Sequence, residues 1–295
     1  MEQRKKGILC VILSAVIFGS MPLWARHFYA AGGTTESLVF YRNLLVLPLL
    51  LVLVLREKTR WKLTPRIFRD LVILSTCNVL MLLTLFRSYH TISAGMATTL
   101  HFVYPVFVLV GAALFCGEKI TPLKLLCLGL CMVGILCFYT PGQKAAMEGM
   151  LLAFFSGIAY AGYVVYLDKS GLKEMPSYQL VFWVVLLNAA LLGVWLLPQG
   201  RLQTGWGLPI WLLLAGFACM VSLGAMVLFQ VGVKYVGPTQ SSILSTFEPL
   251  TSILLGVVFL NESLTPRSLA GICAILGAVV LLALRGKEPA AKTGR

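Results

Sequence analysis

Two ionisable residues inside long apolar runs are the groups of this sequence best placed to do chemistry. Glu248 precedes Pro249 near the middle of one run, and His101 lies one helical turn before Pro105 in another. An ionisable group at membrane depth costs about 3 kcal/mol on insertion scales, and such groups commonly mark a substrate or ion pathway. Glu248 could take up a proton or bind a substrate amine, or it could be a structural carboxylate. His101 could bind substrate, relay a proton or pair with Glu248, or it could be a core histidine bonded to a neighbouring helix.

Aromatic and amide side chains at similar depth are further candidates. Tyr160, Tyr163 and Tyr166 recur at a spacing that places their phenols on one face of a helix. Tyr160 and Tyr163 could line a substrate path and stack on cationic or aromatic groups. Tyr166 lies near the end of its run, where tyrosine favours the membrane interface, and Tyr160 could instead pack against small residues. Asn78 could contact a zwitterionic substrate or bond to the backbone.

Three other charged residues have simpler interpretations. Arg42 lies inside an apolar run and could attract a carboxylate, but snorkelling to the interface or pairing with Glu36 is the alternative that we favour. Glu118 and Glu262 end their runs just before Thr-Pro turns. Their equivalent positions indicate helix caps or ion-pair partners rather than substrate ligands.

The composition indicates which kind of chain must position these residues. Of its 295 residues, 59% are hydrophobic and 12% are charged, and the mean hydropathy is +0.89. A soluble chain is about half apolar and a quarter charged, so lipid must cover much of this one. The net charge of +13 does not indicate nucleic-acid binding, because the charges lie between the apolar runs. Eight cysteines fall within or at the ends of these runs without a CxxC pair, which argues against a disulfide framework or a metal site.

The sequence predicts an all-α membrane protein with ten spans. A helix of roughly 20 apolar residues crosses the hydrocarbon core, and lipid requires its backbone to be hydrogen-bonded internally. The ten segments are Gly7–Ala25, Ser37–Leu55, Leu71–Phe86, Ala94–Cys116, Leu123–Tyr139, Gly149–Leu167, Tyr178–Leu197, Leu208–Gly232, Thr239–Leu260 and Ser268–Leu284. Of the 24 Lys and Arg residues, 18 lie on the side of both termini, five lie on the other side and Arg42 lies inside a span. This excess predicts that both termini are cytoplasmic.

An internal repeat relates the two halves of the chain. Tyr104-Pro105 and the segment 115–122 recur 144 residues later as Glu248-Pro249 and the segment 259–266. We therefore divide the chain into a first repeat at 1–140, a second at 148–285 and a cytoplasmic tail at 286–295. Five spans in each half predict that the second half is inverted, as in many secondary transporters, with a substrate site near the midplane. In that arrangement His101 and its equivalent Ser245, like Tyr104 and Glu248, could face one another, with Pro105 and Pro249 as hinges.

The sequence also resembles the EamA-type members of the drug/metabolite transporter superfamily. The resemblance rests on Phe247-Glu248-Pro249-Leu250 and Leu260-Asn261-Glu262-Ser263-Leu264, with counterparts at 103–106 and 115–118. It covers the chain from about Gly7 to Leu284 and leaves the substrate open, because members move amino acids, sugars, nucleosides and other metabolites. The resemblance implies secondary export or exchange across a bacterial inner membrane.

These observations predict a transporter rather than an enzyme. The chain has no Walker motif, no GxGxxG opening a helix and no HExxH, so we expect neither ATP hydrolysis nor zinc proteolysis, and no cofactor. We expect alternating-access export of a small metabolite, with an amino acid as the best single substrate and sugars, nucleosides or cationic drugs as alternatives. The partners are then the substrate, lipid and a coupling proton. Gly134 and Gly271 would allow close helix packing, either within a monomer or in a homodimer. The rival classes are an intramembrane enzyme and a receptor or scaffold that transports nothing.

Overall fold

The computed structural model describes residues 2–57, 62–108, 122–138, 144–229, 231–232, 235, 241 and 244–285, and within them it is helical without a strand. The α-helices are α1 (Glu2–Gly19), α2 (Met21–Ala30), α3 (Thr35–Arg56), α4 (Pro65–Ser88), α5 (Ala94–His101), α6 (Pro122–Phe138), α7 (Lys144–Ser170), α8 (Ser177–Leu196), α9 (Leu208–Cys219), α10 (Phe247–Leu260) and α11 (Pro266–Arg285). A 3₁₀ turn at Leu172–Glu174 precedes α8, and a π-helical stretch at Met220–Ala225 continues α9. The hydroxyls of Thr34, Thr64 and Ser93 begin α3, α4 and α5 by accepting a backbone N–H of the first turn.

Six of the described helical segments are long and apolar enough to cross a membrane. They are Gln3–Ala30, Thr35–Arg56, Pro65–Ser88, Ala146–Leu167, Ser177–Leu196 and Leu208–Phe229. Four shorter apolar helices cover Ala94–Val108, Leu125–Phe138, Phe247–Leu260 and Pro266–Leu281. Large apolar side chains face outward, such as Val194 at 79% exposure, which is the surface that lipid covers. A helical, multi-pass membrane protein is therefore confirmed, while the number of ten spans and their inversion stay predictions.

Four helical segments are interrupted near the middle of the bundle. Ser20 separates α1 from α2, and a turn at residues 102–103 separates α5 from the helix that resumes at Tyr104. A second turn at Ser245–Thr246 precedes α10, and the π-helical stretch interrupts the regular pattern after α9. Such interruptions expose backbone groups that a continuous helix would bond internally. At these breaks much of the backbone is bonded within the chain, for example Ser20 N to Val16 O and Glu248 N to Ser245 O, both at 3.0 Å.

Packing joins helices from the two halves of the chain. The helix α4 packs on α7, α3 on α8, α1 on α10 and α6 on α11, while α5 contacts both α7 and α10. Gly134 and Gly271 lie at the α6–α11 contact, where a Cβ on either would come within 2.9 Å of the other's carbonyl oxygen. This close approach lies within one chain, so these glycines pack helices of the same protomer.

Candidate functional site

A cavity of about 180 Å³ lies between the two halves of the bundle. Both halves contribute side chains to its wall, and the space is about ten times what a single buried water requires. All seven residues predicted as substrate or coupling ligands line it, namely Asn78, His101, Tyr104, Tyr160, Tyr163, Ser245 and Glu248. The structure thus gathers residues that are up to 170 positions apart in the sequence, and it leaves their roles to experiment.

An aromatic cluster forms one wall of the cavity. The ring of Tyr160 lies 4.6 Å from Tyr104, 5.5 Å from His101 and 5.8 Å from Tyr163, measured between centroids. Tyr160 and Tyr163 are nearly parallel at 10°, whereas Tyr104 meets Tyr160 edge-on at 78°. Stacked and edge-on rings are both favourable geometries, so the cluster is a rigid wall. Tyr166, the third tyrosine of the predicted stripe, instead donates to Asp70 at 3.0 Å.

His101 is fixed by a hydrogen bond to the second half of the chain. Its Nδ1 lies 2.9 Å from Ser156 Oγ, which donates its own proton to Ala153 O at 2.6 Å. Because Ser156 uses its single hydroxyl proton for Ala153 O, His101 Nδ1 is the donor of this bond. Gly157 lets α5 approach, since a Cβ there would lie 2.8 Å from His101 O. The predicted bond to a neighbouring helix is therefore present, and His101 also lines the cavity.

Glu248 sits at the start of α10, directly after the turn at Ser245–Thr246. Its backbone N–H bonds to Ser245 O at 3.0 Å, and its carboxylate faces the cavity. No side chain in the described ranges forms an ion pair or a hydrogen bond with that carboxylate, so pairing with His101 is not observed. Gly19 packs against Glu248 O, with a hypothetical Cβ only 2.5 Å away. This close approach of backbones packs α10 against the end of α1.

Three asparagines form an amide cluster on another part of the wall. The amide of Asn188 lies 2.8 Å from that of Asn78 and 3.1 Å from that of Asn43, and Asn43 also donates to Val39 O. Asn188 is 1% exposed. The cluster ties α3, α4 and α8 together, because a buried amide without a partner would be costly. Asn78 therefore has a structural partner while it lines the cavity.

Arg42 is the cavity residue that sequence reasoning set aside. It does not pair with Glu36 in the structure. Its guanidinium instead lies 5.7 Å from the ring centroids of both Phe86 and Phe217, and Nη1 lies 3.8 Å from Met21 Sδ. The sequence feature that could have identified Arg42 as a site residue is its position well inside a span, seven residues after the start of α3.

The two proline positions predicted as hinges follow the two central helix breaks. Pro105 comes after the turn at residues 102–103, and Pro249 comes after the turn at Ser245–Thr246. Because proline has no amide hydrogen, neither residue can restore the bond that a continuous helix would make. Hinge motion at these positions stays a prediction.

Polar contacts join helices at both ends of α4, beyond the cavity. At one end Glu262 accepts from Arg26 Nη2 at 3.2 Å and from the first amide of α5, Ala94 N, at 2.8 Å, while Arg26 also donates to Ile92 O at 3.1 Å. Glu262 is therefore both an ion-pair partner and a helix cap, whereas Glu118 lies outside the described residues. At the other end Asp70 pairs with Arg69 at 2.9 Å and accepts from Tyr166.

A helical membrane bundle whose two halves enclose a cavity with polar and apolar walls is an arrangement found in transporters, and the family comparison agrees. The family "EamA-like transporter family" matches residues 5–140 and again residues 147–284. The chain belongs to the EamA-like transporter family, and it is a transporter rather than an enzyme.

Individual relatives span most of this chain. An uncharacterized transporter of Archaeoglobus fulgidus is 29% identical over 93% of this chain and 95% of its own length. The uncharacterized inner membrane transporter YicL of Salmonella typhimurium is 25% identical over 98% of this chain and 99% of its own. The threonine/homoserine exporter RhtA of Escherichia coli is 25% identical over 65% of this chain and 63% of its own. A crystal structure matches 96% of this chain and 99% of its own with a TM-score of 0.63 at 15% identity, which supports the fold alone.

Proposed function

We propose that this protein is a secondary transporter that exports an amino acid across the bacterial inner membrane by alternating access. The observation that carries the proposal is the cavity between the halves, to which the first half contributes Arg42 and the second contributes Glu248. A site with charged side chains between two repeats is where such transporters bind their substrate. The proposal includes ten spans in two inverted repeats, with both termini in the cytoplasm.

The packing pattern supports the two-repeat arrangement. If α1 and α2 form the first span, then α3, α5 and α6 are equivalent to α8, α10 and α11. Each of these helices packs against its own equivalent. The contact of α1 with α10 likewise has its equivalent in the contact of α5 with α7. A two-fold axis between the halves would place each of these helices against its own equivalent, and it would repeat the α1–α10 contact as the α5–α7 contact.

The cavity wall suits a small amphipathic substrate. It combines Arg42, Glu248 and several amides with buried leucines such as Leu82 and Leu85. Charged groups would bind the polar end of an amino acid, while the leucines would accept an apolar side chain. The similarity to the threonine/homoserine exporter RhtA favours an amino acid and the export direction. Sugars, nucleosides and cationic drugs are the alternative substrates.

Alternating access requires that the cavity be closed at one end at a time. In the proposed orientation the network of Arg26, Glu262 and Ala94 lies at the outer end, and the Asp70–Tyr166 contact lies at the inner end. Both join helices of different halves. Rocking of the halves about the breaks before Pro105 and Pro249 would open one contact while the other stays closed.

Flux measured in proteoliposomes tests the proposal. Purified protein would be reconstituted with labelled amino acids, with and without an imposed pH gradient, beside Glu248→Gln. The exposed Glu174→Gln is the matched control, because it makes the same chemical change away from the cavity. We expect gradient-dependent amino acid movement in the wild type and the control, and its loss in Glu248→Gln.

Three other outcomes would each revise the proposal. Equal flux in the wild type and Glu248→Gln, insensitive to the gradient, would indicate a facilitator without proton coupling. Movement of sugars, nucleosides or cationic drugs but no amino acid would change the substrate class. No flux of any compound by folded protein would contradict transport by this cavity.

A further inference from the structure

Two opposite charges face the cavity without neutralising one another. Among the described residues that line it, Arg42 and Glu248 are the ones that carry a formal charge. The ion pairs of the described chain are Arg26–Glu262 and Arg69–Asp70, so neither cavity charge has a protein counter-ion there. Buried charges in proteins are normally paired, because desolvation is otherwise too costly. Each of the two side chains is therefore free to pair with an oppositely charged group of a bound molecule.

Both charged residues are anchored at the break between α1 and α2. Arg42 reaches this break from α3, with Nη1 at 3.8 Å from Met21 Sδ. Glu248 reaches it from α10, through its carbonyl packed on Gly19, and Ser252 Oγ bonds to Gly19 O at 2.8 Å. The segment from Gly19 to Met21 is three residues long, so the guanidinium of Arg42 and the backbone of Glu248 approach the same short stretch of the chain.

The surroundings of Arg42 leave its hydrogen-bond donors available. The guanidinium carbon of Arg42 lies over the rings of Phe86 and Phe217, 5.7 Å from each centroid, and aromatic rings take up none of its N–H donors as conventional hydrogen-bond partners. Only Nη1 has a protein partner among the described residues, and the thioether of Met21 is a weak acceptor. A guanidinium held in this way can present two parallel N–H groups to a carboxylate, which is its strongest pairing. The two oxygens of Glu248 offer matching acceptors to an ammonium group.

We propose that Arg42 binds the carboxylate and Glu248 binds the ammonium group of one zwitterionic α-amino acid. The cavity then selects for molecules that carry both charges close together and rejects those that lack either. Recognition at Arg42 is the new element, because it assigns the substrate a carboxylate. The inference rests on the proposed function for the class of substrate, but it is tested by binding rather than by flux.

Matched ligands that lack either the carboxylate or the amine test recognition by Arg42 and by Glu248 separately. Thermal unfolding of the purified protein would be followed with L-threonine, with L-threoninol, which lacks the carboxylate, and with 3-hydroxybutyrate, which lacks the amine. A second set of L-leucine, L-leucinol and 4-methylpentanoate covers an apolar side chain. The variants are Arg42→Gln, Arg42→Lys and Glu248→Gln, with the exposed Arg201→Gln as control.

We expect an amino acid to stabilise the wild type and the control more than its amino alcohol or its des-amino acid. Arg42→Gln should weaken amino acid binding by about tenfold or more and leave amino alcohol binding unchanged, since one charge-assisted pairing is lost. Arg42→Lys should retain part of the preference for a carboxylate. Glu248→Gln should weaken amino acid binding and leave binding of the des-amino acid unchanged.

Other results would overturn the proposal. An amino alcohol that binds the wild type as tightly as its amino acid would show that the carboxylate is not recognised. If Arg42→Gln weakens the binding of amino acid and amino alcohol equally, Arg42 has only a structural role. If no compound stabilises the protein, the cavity is not an amino acid binding site. Selective binding without flux in proteoliposomes would contradict the transport proposal alone. Transport of a substrate without a carboxylate would contradict this inference and the choice of an amino acid as substrate, but not transport itself.

Discussion

Replacing Glu262 by Gln or by Ala should destabilise the protein by different amounts, because Glu262 is both the ion-pair partner of Arg26 and the cap of α5. Its carboxylate is 10% exposed and accepts from the partly exposed Arg26 at 3.2 Å and from Ala94 N at 2.8 Å. Glu262→Gln keeps an oxygen near Ala94 but removes the charge from both bonds. A hydrogen bond to a charged group contributes about 1 kcal/mol more than a neutral one, so two of them predict a loss of about 2 kcal/mol. Glu262→Ala also removes the helix cap, which adds about 1 kcal/mol.

Thermal unfolding in detergent measures these differences. For a chain of this size 1 kcal/mol shifts the unfolding midpoint by about 2 °C, so the two variants should unfold about 4 and 6 °C below the wild type. Arg26→Gln alone and combined with Glu262→Gln completes a double-mutant cycle, in which we expect a coupling of about 1 kcal/mol. The exposed Glu174→Gln should leave the midpoint unchanged. A coupling near zero, or identical midpoints for Glu262→Gln and Glu262→Ala, would refute the assignment of an ion pair and a cap to Glu262.

Two further predictions concern the wall of the cavity and one end of the bundle. Asn188→Leu should lower the free energy of unfolding by about 2 kcal/mol, because it removes the two hydrogen bonds that the buried amide of Asn188 makes with Asn43 and Asn78; an unchanged unfolding midpoint would mean that these two bonds contribute nothing to stability. Burial, reinforced by Arg26 and Arg87, holds the pKa of His90 below its usual value of 6.5. The unfolded chain therefore binds this proton more readily, and the stability that neutral His90 contributes should be lost as the pH falls below about 6.5. His90→Gln should flatten the fall of the unfolding midpoint between pH 7 and pH 5, and an equally steep fall in the variant would exclude His90 as its cause.

The apolar runs predicted most of the fold because lipid leaves few alternatives to a helix. The repeat then predicted the gathering of the site: His101, Tyr104, Ser245 and Glu248 occupy equivalent positions, and all four line the cavity. Hydropathy could not predict the short helix breaks, because a single turn such as Ser245–Thr246 hardly changes the mean over a span.

The sequence could not predict which side chains that lie far apart in the chain contact one another. Arg42 and Glu36 are close in the chain, which made their pairing plausible, yet the guanidinium lies beside an adjacent pair of phenylalanines from α4 and α9. The same limit applies to Arg26 and Glu262, which are 236 residues apart. Which helices meet in a bundle depends on packing, and a single sequence carries little information about packing.

The capping of α5 by Glu262 has a consequence for biosynthesis. Ala94 precedes Glu262 by 168 residues and Arg26 precedes it by 236, so a ribosome completes most of the chain between the synthesis of the two sides of this network. Until Glu262 has been synthesised and packed in place, water or lipid headgroups must accept the hydrogen bonds of the Ala94 amide and the Arg26 guanidinium. Dehydration of this end of the bundle is therefore a late step of assembly, and it takes place only when the second half has docked on the first.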